Sequence, residues 1–71
     1  MKTKKKPPPR LAANLTILRE KSGLTQEGLA TILGVTRAWV SKIETGHGLP
    51  SLARTVEIAN VFKVTIDRLV T

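Results

Sequence analysis

Arg37 and Lys42 lie five residues apart in the run RAWVSKIET, and helical geometry puts Ala38 and Ser41 on their side of the helix. With Thr45 they make a face that is polar or small and carries no acid. A guanidinium fork, an ammonium and a hydroxyl are hydrogen-bond donors, suited to anions and to the acceptor edges of bases. Arg37, at a helix N-terminus, can reach O6 and N7 of a guanine with two parallel bonds, worth about 1–3 kcal/mol of discrimination. Ala38 is small enough to bring the helix close and to meet a thymine methyl. Lys42, one turn beyond Ala38, can bond a guanine or a phosphate, and Ser41 a sugar-phosphate group or nothing. Catalysis is not expected. The chain has no Cys and no Tyr, one His and one Asp, which leaves no nucleophile–base constellation. His47 and Asp67 do not make a metal cage, and no cofactor is implied.

Two short helices must hold that face. The first is expected over Gln26–Leu33, with Thr25 as its N-cap and Gly34 as the residue that stops it in a left-handed conformation. Thr36 then caps a second helix from Arg37 to about Thr45. Leu29, Leu33, Val40 and Ile43 fall on an inward stripe with Val35 in the turn, and Ala30 lets the helices cross closely. Gly28, inside the first of these helices, costs about 0.5–1 kcal/mol relative to Ala and reads as a tolerated flaw. Trp39 flanks the inward stripe, placed to pack on the neighbouring helix, to lie on a DNA backbone, or both. An exposed helix angled out by a short Gly turn is the geometry that enters a DNA major groove.

The successive runs LREKSGLTQEGLA, LGVTRAWVSKIETG, LPSLARTVEIANVFKV and TIDRLV resemble, in order, the phage-repressor (Cro/repressor-type, XRE-like) helix-turn-helix family. The resemblance covers roughly Leu11 to Val70. It implies an all-α, compact five-helix, lambda-repressor-like DNA-binding domain with its helix-turn-helix at 26–45. It also implies base reading from the positions of Arg37, Ala38 and Lys42, and a Gln26 that bonds a phosphate or braces the recognition helix. A structural ion pair between Arg19 and Glu44 follows from the same resemblance. So does a loop at Gly46–Pro50 that runs beside the DNA backbone, offering main-chain N–H groups from Gly46 onward. His47 could add a side-chain contact there, against its plainer reading as a solvent-exposed loop histidine. Thr36 can serve as a cap and a backbone contact together.

Net charge and its distribution agree with an anionic partner. The chain carries +7, of which Lys2, Lys4, Lys5, Lys6 and Arg10 place +5 in the first ten residues. Residues 1–10, MKTKKKPPPR, are expected to be an extended, basic, Pro-rich arm, with residues 11–71 as the domain. Lys4, Lys5, Lys6 and Arg10 would follow phosphates or a minor groove; the alternative is a solvated tail. Nothing apolar accompanies those charges, and no stretch approaches about 18 apolar residues, so a membrane partner is not expected. A cytoplasmic, nucleoid-associated protein fits.

The remaining helices supply the core. Leu11, Leu15 and Leu18 give the first helix its stripe through Lys21, and Gly23 its stop. Ser51 should cap a fourth helix, with Leu52, Val56, Ala59 and Phe62 at buried spacing, Ile58 flanking, and Thr55 unusually polar. Lys63, where the resembled family often has Gly, should leave that helix less sharply closed. The last helix is too short to be stable alone and must pack on the core or a second copy. Its apolar Ile66, Leu69 and Val70 are the expected homodimer interface. A two-fold dimer would double the reading, with recognition helices about 34 Å apart on one DNA face. The expected function is sequence-specific binding of double-stranded DNA at an inverted repeat, to regulate transcription, most simply by repression. Two rivals are an antitoxin-type subunit with a toxin partner and an autoregulated operon, and a protein-interaction module built on the same fold.

Overall fold

The computed structural model of the protein describes residues 10–71, which form five α-helices and no strand. They are α1 (Arg10–Lys21), α2 (Gln26–Leu33), α3 (Arg37–Glu44), α4 (Leu52–Phe62) and α5 (Ile66–Val70). Four N-caps have the local chemistry that starts a helix: the hydroxyls of Thr25, Thr36, Ser51 and Thr65 accept backbone N–H groups of Gly28, Trp39, Arg54 and Arg68. Helix α2 packs on α3, α1 on both α3 and α5, and α4 on α5. The core between them consists of Leu11, Leu15, Leu29, Ala30, Leu33, Val40, Ile43, Ile58, Ala59 and Leu69.

The face that α4 buries is not the one its apolar spacing suggests. Thr55, Ile58 and Ala59 are buried, whereas Leu52 is 75% and Val56 38% exposed. Thr55 can sit inside because its hydroxyl donates to the carbonyl of Ser51 at 2.8 Å, which removes the cost of an unsatisfied polar group. The C-terminus of α4 also differs from expectation. Lys63 adopts the left-handed conformation (φ 57°), and Val64 N–H bonds the Ala59 carbonyl at 3.0 Å, so the helix closes as sharply as with glycine.

Leu69 is fully buried in the domain's own core, so it is not an interface residue. Ile66 and Val70, at 38% and 42% exposure, remain on the outside of α5. Arg10 is the first residue of α1, not the end of an arm, and its Nη1 donates to the Thr71 carbonyl at 3.1 Å. Beside it, Asn14 Nδ2 donates to the Leu69 carbonyl at 2.8 Å. These bonds satisfy carbonyls at the end of α5 that no further turn of helix would reach. They explain how a five-residue helix is held.

Candidate nucleic-acid interface

The turn between α2 and α3 fixes the direction of α3. Gly34 takes φ 72°, and Val35 N–H reaches the Ala30 carbonyl at 3.0 Å, a close of α2 that only a residue at ease with positive φ makes cheaply. Thr36 immediately starts α3, whose Val40 and Ile43 are buried. The opposite side of α3 is therefore turned outward. Arg37, Ala38, Ser41, Lys42, Thr45 and His47 line one shallow open depression there. Arg37, Ala38, Lys42, Thr45 and His47 are exposed and Ser41 is half-buried.

The single acid of α3 faces the other way. Glu44 receives Arg19 Nε at 2.6 Å and Nη2 at 3.2 Å, and the two side chains are only 5% and 11% exposed. Arg19 Nη1 also donates to the Leu24 carbonyl at 2.8 Å, tying the α1–α2 loop into the same knot. The hydrogen bond to Glu44 raises the Arg19 pKa above its ordinary value; burial opposes this, and the charges of Glu44 and Glu20 add to it. Stability from a raised pKa is complete below the ordinary value and lost only as pH rises past it. An arginine is charged at every pH a protein ordinarily meets, so the raised pKa brings no titration of Arg19 into that range.

Gln26 extends the knot to the outer face. Its Nε2 donates to Glu44 Oε1 at 3.0 Å, and its Oε1 accepts from Arg37 Nη1 at 3.3 Å. A continuous chain of polar contacts thus runs from Arg19 on α1, through Glu44, to Arg37 at the start of α3. In this arrangement Gln26 braces α3.

The loop after α3 behaves differently from the resemblance. Gly46 N–H bonds the Ile43 carbonyl at 3.1 Å and His47 N–H bonds the Lys42 carbonyl at 3.0 Å. Gly46, at φ 80°, thus closes α3 with its N–H and does not offer that N–H to a phosphate. The His47 side chain remains outside, with Nδ1 at 2.8 Å from Thr45 Oγ1. That hydroxyl also lies within donating distance of the Ser41 and Lys42 carbonyls, and its role towards Nδ1 follows the imidazole tautomer. Nε2 is then the imidazole atom left for an outside partner. Trp39 is half-buried and packs against the core. Lys4, Lys5 and Lys6 lie outside the described residues.

Sequence reasoning missed Arg54. Its Nη1 donates to the Leu33 carbonyl at 2.7 Å and to Glu57 Oε1 at 2.7 Å, pinning α4 to the end of α2. The Arg54–Glu57 spacing was the available signal, since residues three apart share a helix face. No group of three or more His, Cys, Asp or Glu that could hold a metal occurs among the described residues. No helix among them is long and apolar enough to cross a membrane.

Comparison with known proteins agrees with this geometry. A family model described as a helix-turn-helix domain matches residues 10–70. The HTH-type transcriptional activator BcrR of Enterococcus faecalis is 46% identical over 52 residues, which cover 73% of this chain but only 26% of that protein. The restriction-modification controller protein C.AhdI from Aeromonas hydrophila has a TM-score of 0.77 at 30% identity, covering 84% of this chain and 91% of its own. Hydroxypropylphosphonic acid epoxidase from S. wedmorenis gives a TM-score of 0.82 at 29% identity over 90% of this chain, but only 34% of the enzyme takes part. The shared part in that enzyme is thus one helical unit within a much longer chain. With residues 10–70 matched and a buried Arg19–Glu44 pair holding the acid-free face of α3 outward, the chain belongs to the Cro/repressor-type helix-turn-helix DNA-binding family.

Proposed function

We propose that the protein is a transcriptional regulator that binds double-stranded DNA sequence-specifically, as a homodimer on an inverted repeat. The observation that carries this reading is the outer face of α3, where Arg37, Ala38, Ser41, Lys42, Thr45 and His47 share one depression and the helix's only acid is turned inward. Arg37, Ala38, Ser41 and Lys42 read base edges in the major groove, while Thr36, Trp39 and His47 border the backbone. Gln26 sits where a phosphate would complete its contacts. The basic residues Lys4, Lys5 and Lys6 add sequence-independent attraction through phosphates. Binding of this kind regulates transcription most simply by repression, through exclusion of polymerase.

The decisive experiment is selection from random duplex DNA at about 0.15 M salt, where non-specific attraction is partly screened. An enriched inverted repeat supports the reading and supplies the operator; a pool that stays random removes sequence-specific binding by this chain alone. Arg37→Ala should relax preference at one base pair in each half-site, by about tenfold. Unchanged preference would remove Arg37 from the reading set.

The homodimer is the second element of the proposal. Ile66 and Val70 offer an apolar edge on α5, and Leu49, Leu52 and Val56, at 70%, 75% and 38% exposure, offer another at the start of α4. Leu52 and Val56 are four residues apart and share one face. Because neither edge belongs to the core, Ile66→Asp and Leu52→Asp should leave the monomer folded while one of them dissociates the dimer in sedimentation. A dimer that survives both substitutions would place the contact elsewhere. The same exposed leucines favour one alternative reading, in which a toxin-type protein partner takes the second copy's place.

A further inference from the structure

We infer that Gly48 is a positioning residue for DNA recognition, setting from outside α3 the direction in which Lys42 presents its ammonium; this rests on the proposed role of Lys42 at DNA. The backbone does not demand glycine there. The glycines with positive φ are Gly23, Gly34 and Gly46, and Gly48 is not among them. What demands it is space. A Cβ at position 48 would lie 3.0 Å from Lys42 Cε and 3.6 Å from both Cδ and Cγ. The Lys42 stem therefore lies along the bare backbone of Gly48 over three successive carbons.

The loop that carries Gly48 is fixed to α3 itself. The Gly46 and His47 N–H groups hold the Ile43 and Lys42 carbonyls, and His47 Nδ1 bonds Thr45 Oγ1. Gly48 thus stands at a set distance from the helix and acts as a groove wall for the side chain. A lysine on an exposed helix face otherwise samples several rotamers at each of four torsions, and ordering it on DNA costs conformational entropy. A stem already laid along Gly48 loses less on binding and delivers its charge to one place. Lys42 and His47 both border the same depression, so the loop that guides the Lys42 stem also places the imidazole beside it.

The atom that a methyl at position 48 would meet most closely is near the free end of a flexible side chain, so the fold can accept the substitution and Lys42 must move. The test uses the full chain in four forms: wild type, Gly48→Ala, Lys42→Ala and the double variant. Each is assayed for preference at every position by selection from random duplex DNA, and for its melting temperature. Gly48→Ala should melt at or slightly above the wild-type temperature and keep the preference assigned to Arg37. It should weaken, by about tenfold or less, the same preference that Lys42→Ala removes. Where Lys42 meets a phosphate, both variants should instead weaken binding to every duplex alike. In the double variant the alanine at 48 should add nothing. If Lys42→Ala alters binding and Gly48→Ala does not, the positioning role is wrong. An effect of Gly48→Ala that persists without Lys42 also overturns it. If Lys42→Ala itself changes nothing, the DNA role of Lys42 fails first.

Discussion

The α2–α3 pair and the α4–α5 pair are built on opposite plans. In the first, α2 closes on a positive-φ glycine, and a buried ion pair joins α3 to α1. In the second, α4 closes on a lysine in a conformation that suits glycine, and its charged pair, Arg54–Glu57, is partly solvated. Apolar side chains are also divided unevenly. Ile32 is the large apolar side chain that the first pair leaves exposed, whereas Leu52, Val56, Ile66 and Val70 of α4 and α5 all remain exposed. The difference shows where a small domain concentrates its rigidity. Helix α3 is held in one orientation by polar contacts, and the opposite half keeps apolar surface open to solvent.

Substitutions can break this contrast at graded cost. Glu44→Ala should be the most damaging, about 3–5 kcal/mol, because it leaves the buried Arg19 charge with only the exposed Glu20 carboxylate, 3.8 Å away. Urea unfolding would measure it; a cost near zero would mean that packing alone orients α3. Lys63→Gly should stabilise the protein by about 1 kcal/mol through relief of the left-handed strain, raising the melting temperature by about 4–8 °C. No gain would mean that Lys63 makes a compensating contact. Glu57→Ala should be the mildest, about 0.2–1 kcal/mol, since both partners of that pair are partly solvated. If Glu57→Ala cost as much as Glu44→Ala, the two halves would be held alike and the contrast would dissolve.

What could be read in the sequence was the chemistry that acts locally. Thr25, Gly34, Thr36 and Ser51 mark helix ends by their own hydrogen bonds or backbone freedom, and α2 and α3 begin where those residues put them. The outward face of α3 was legible for the same reason, since Val40 and Ile43 leave it only one way to turn. The face of α4 was not. Its spacing admits two stripes, and counting apolar residues chose Leu52 and Val56 over Thr55 and Ile58. A threonine that bonds its own helix can take a core position, and that is decided by which helices lie beneath it. Leu69 was misplaced by the same limit: a five-residue helix shows no direction in its pattern until α1 supplies Asn14 and Arg10 to hold it. Gly48 gave no signal, because its role depends on where the Lys42 stem lies.

Trp39 gives α3 an optical property that the rest of the molecule lacks. The chain contains one tryptophan and no tyrosine, so ultraviolet emission arises essentially from this indole. It is half-buried, with one side against the core and the rest beside the face that carries Ala38 and Lys42. Its fluorescence therefore reports on the seating of α3 with no added dye. Loosening confined to α4 and α5 would leave the emission largely steady, whereas docking of α3 on a duplex or its release from the core would change the signal.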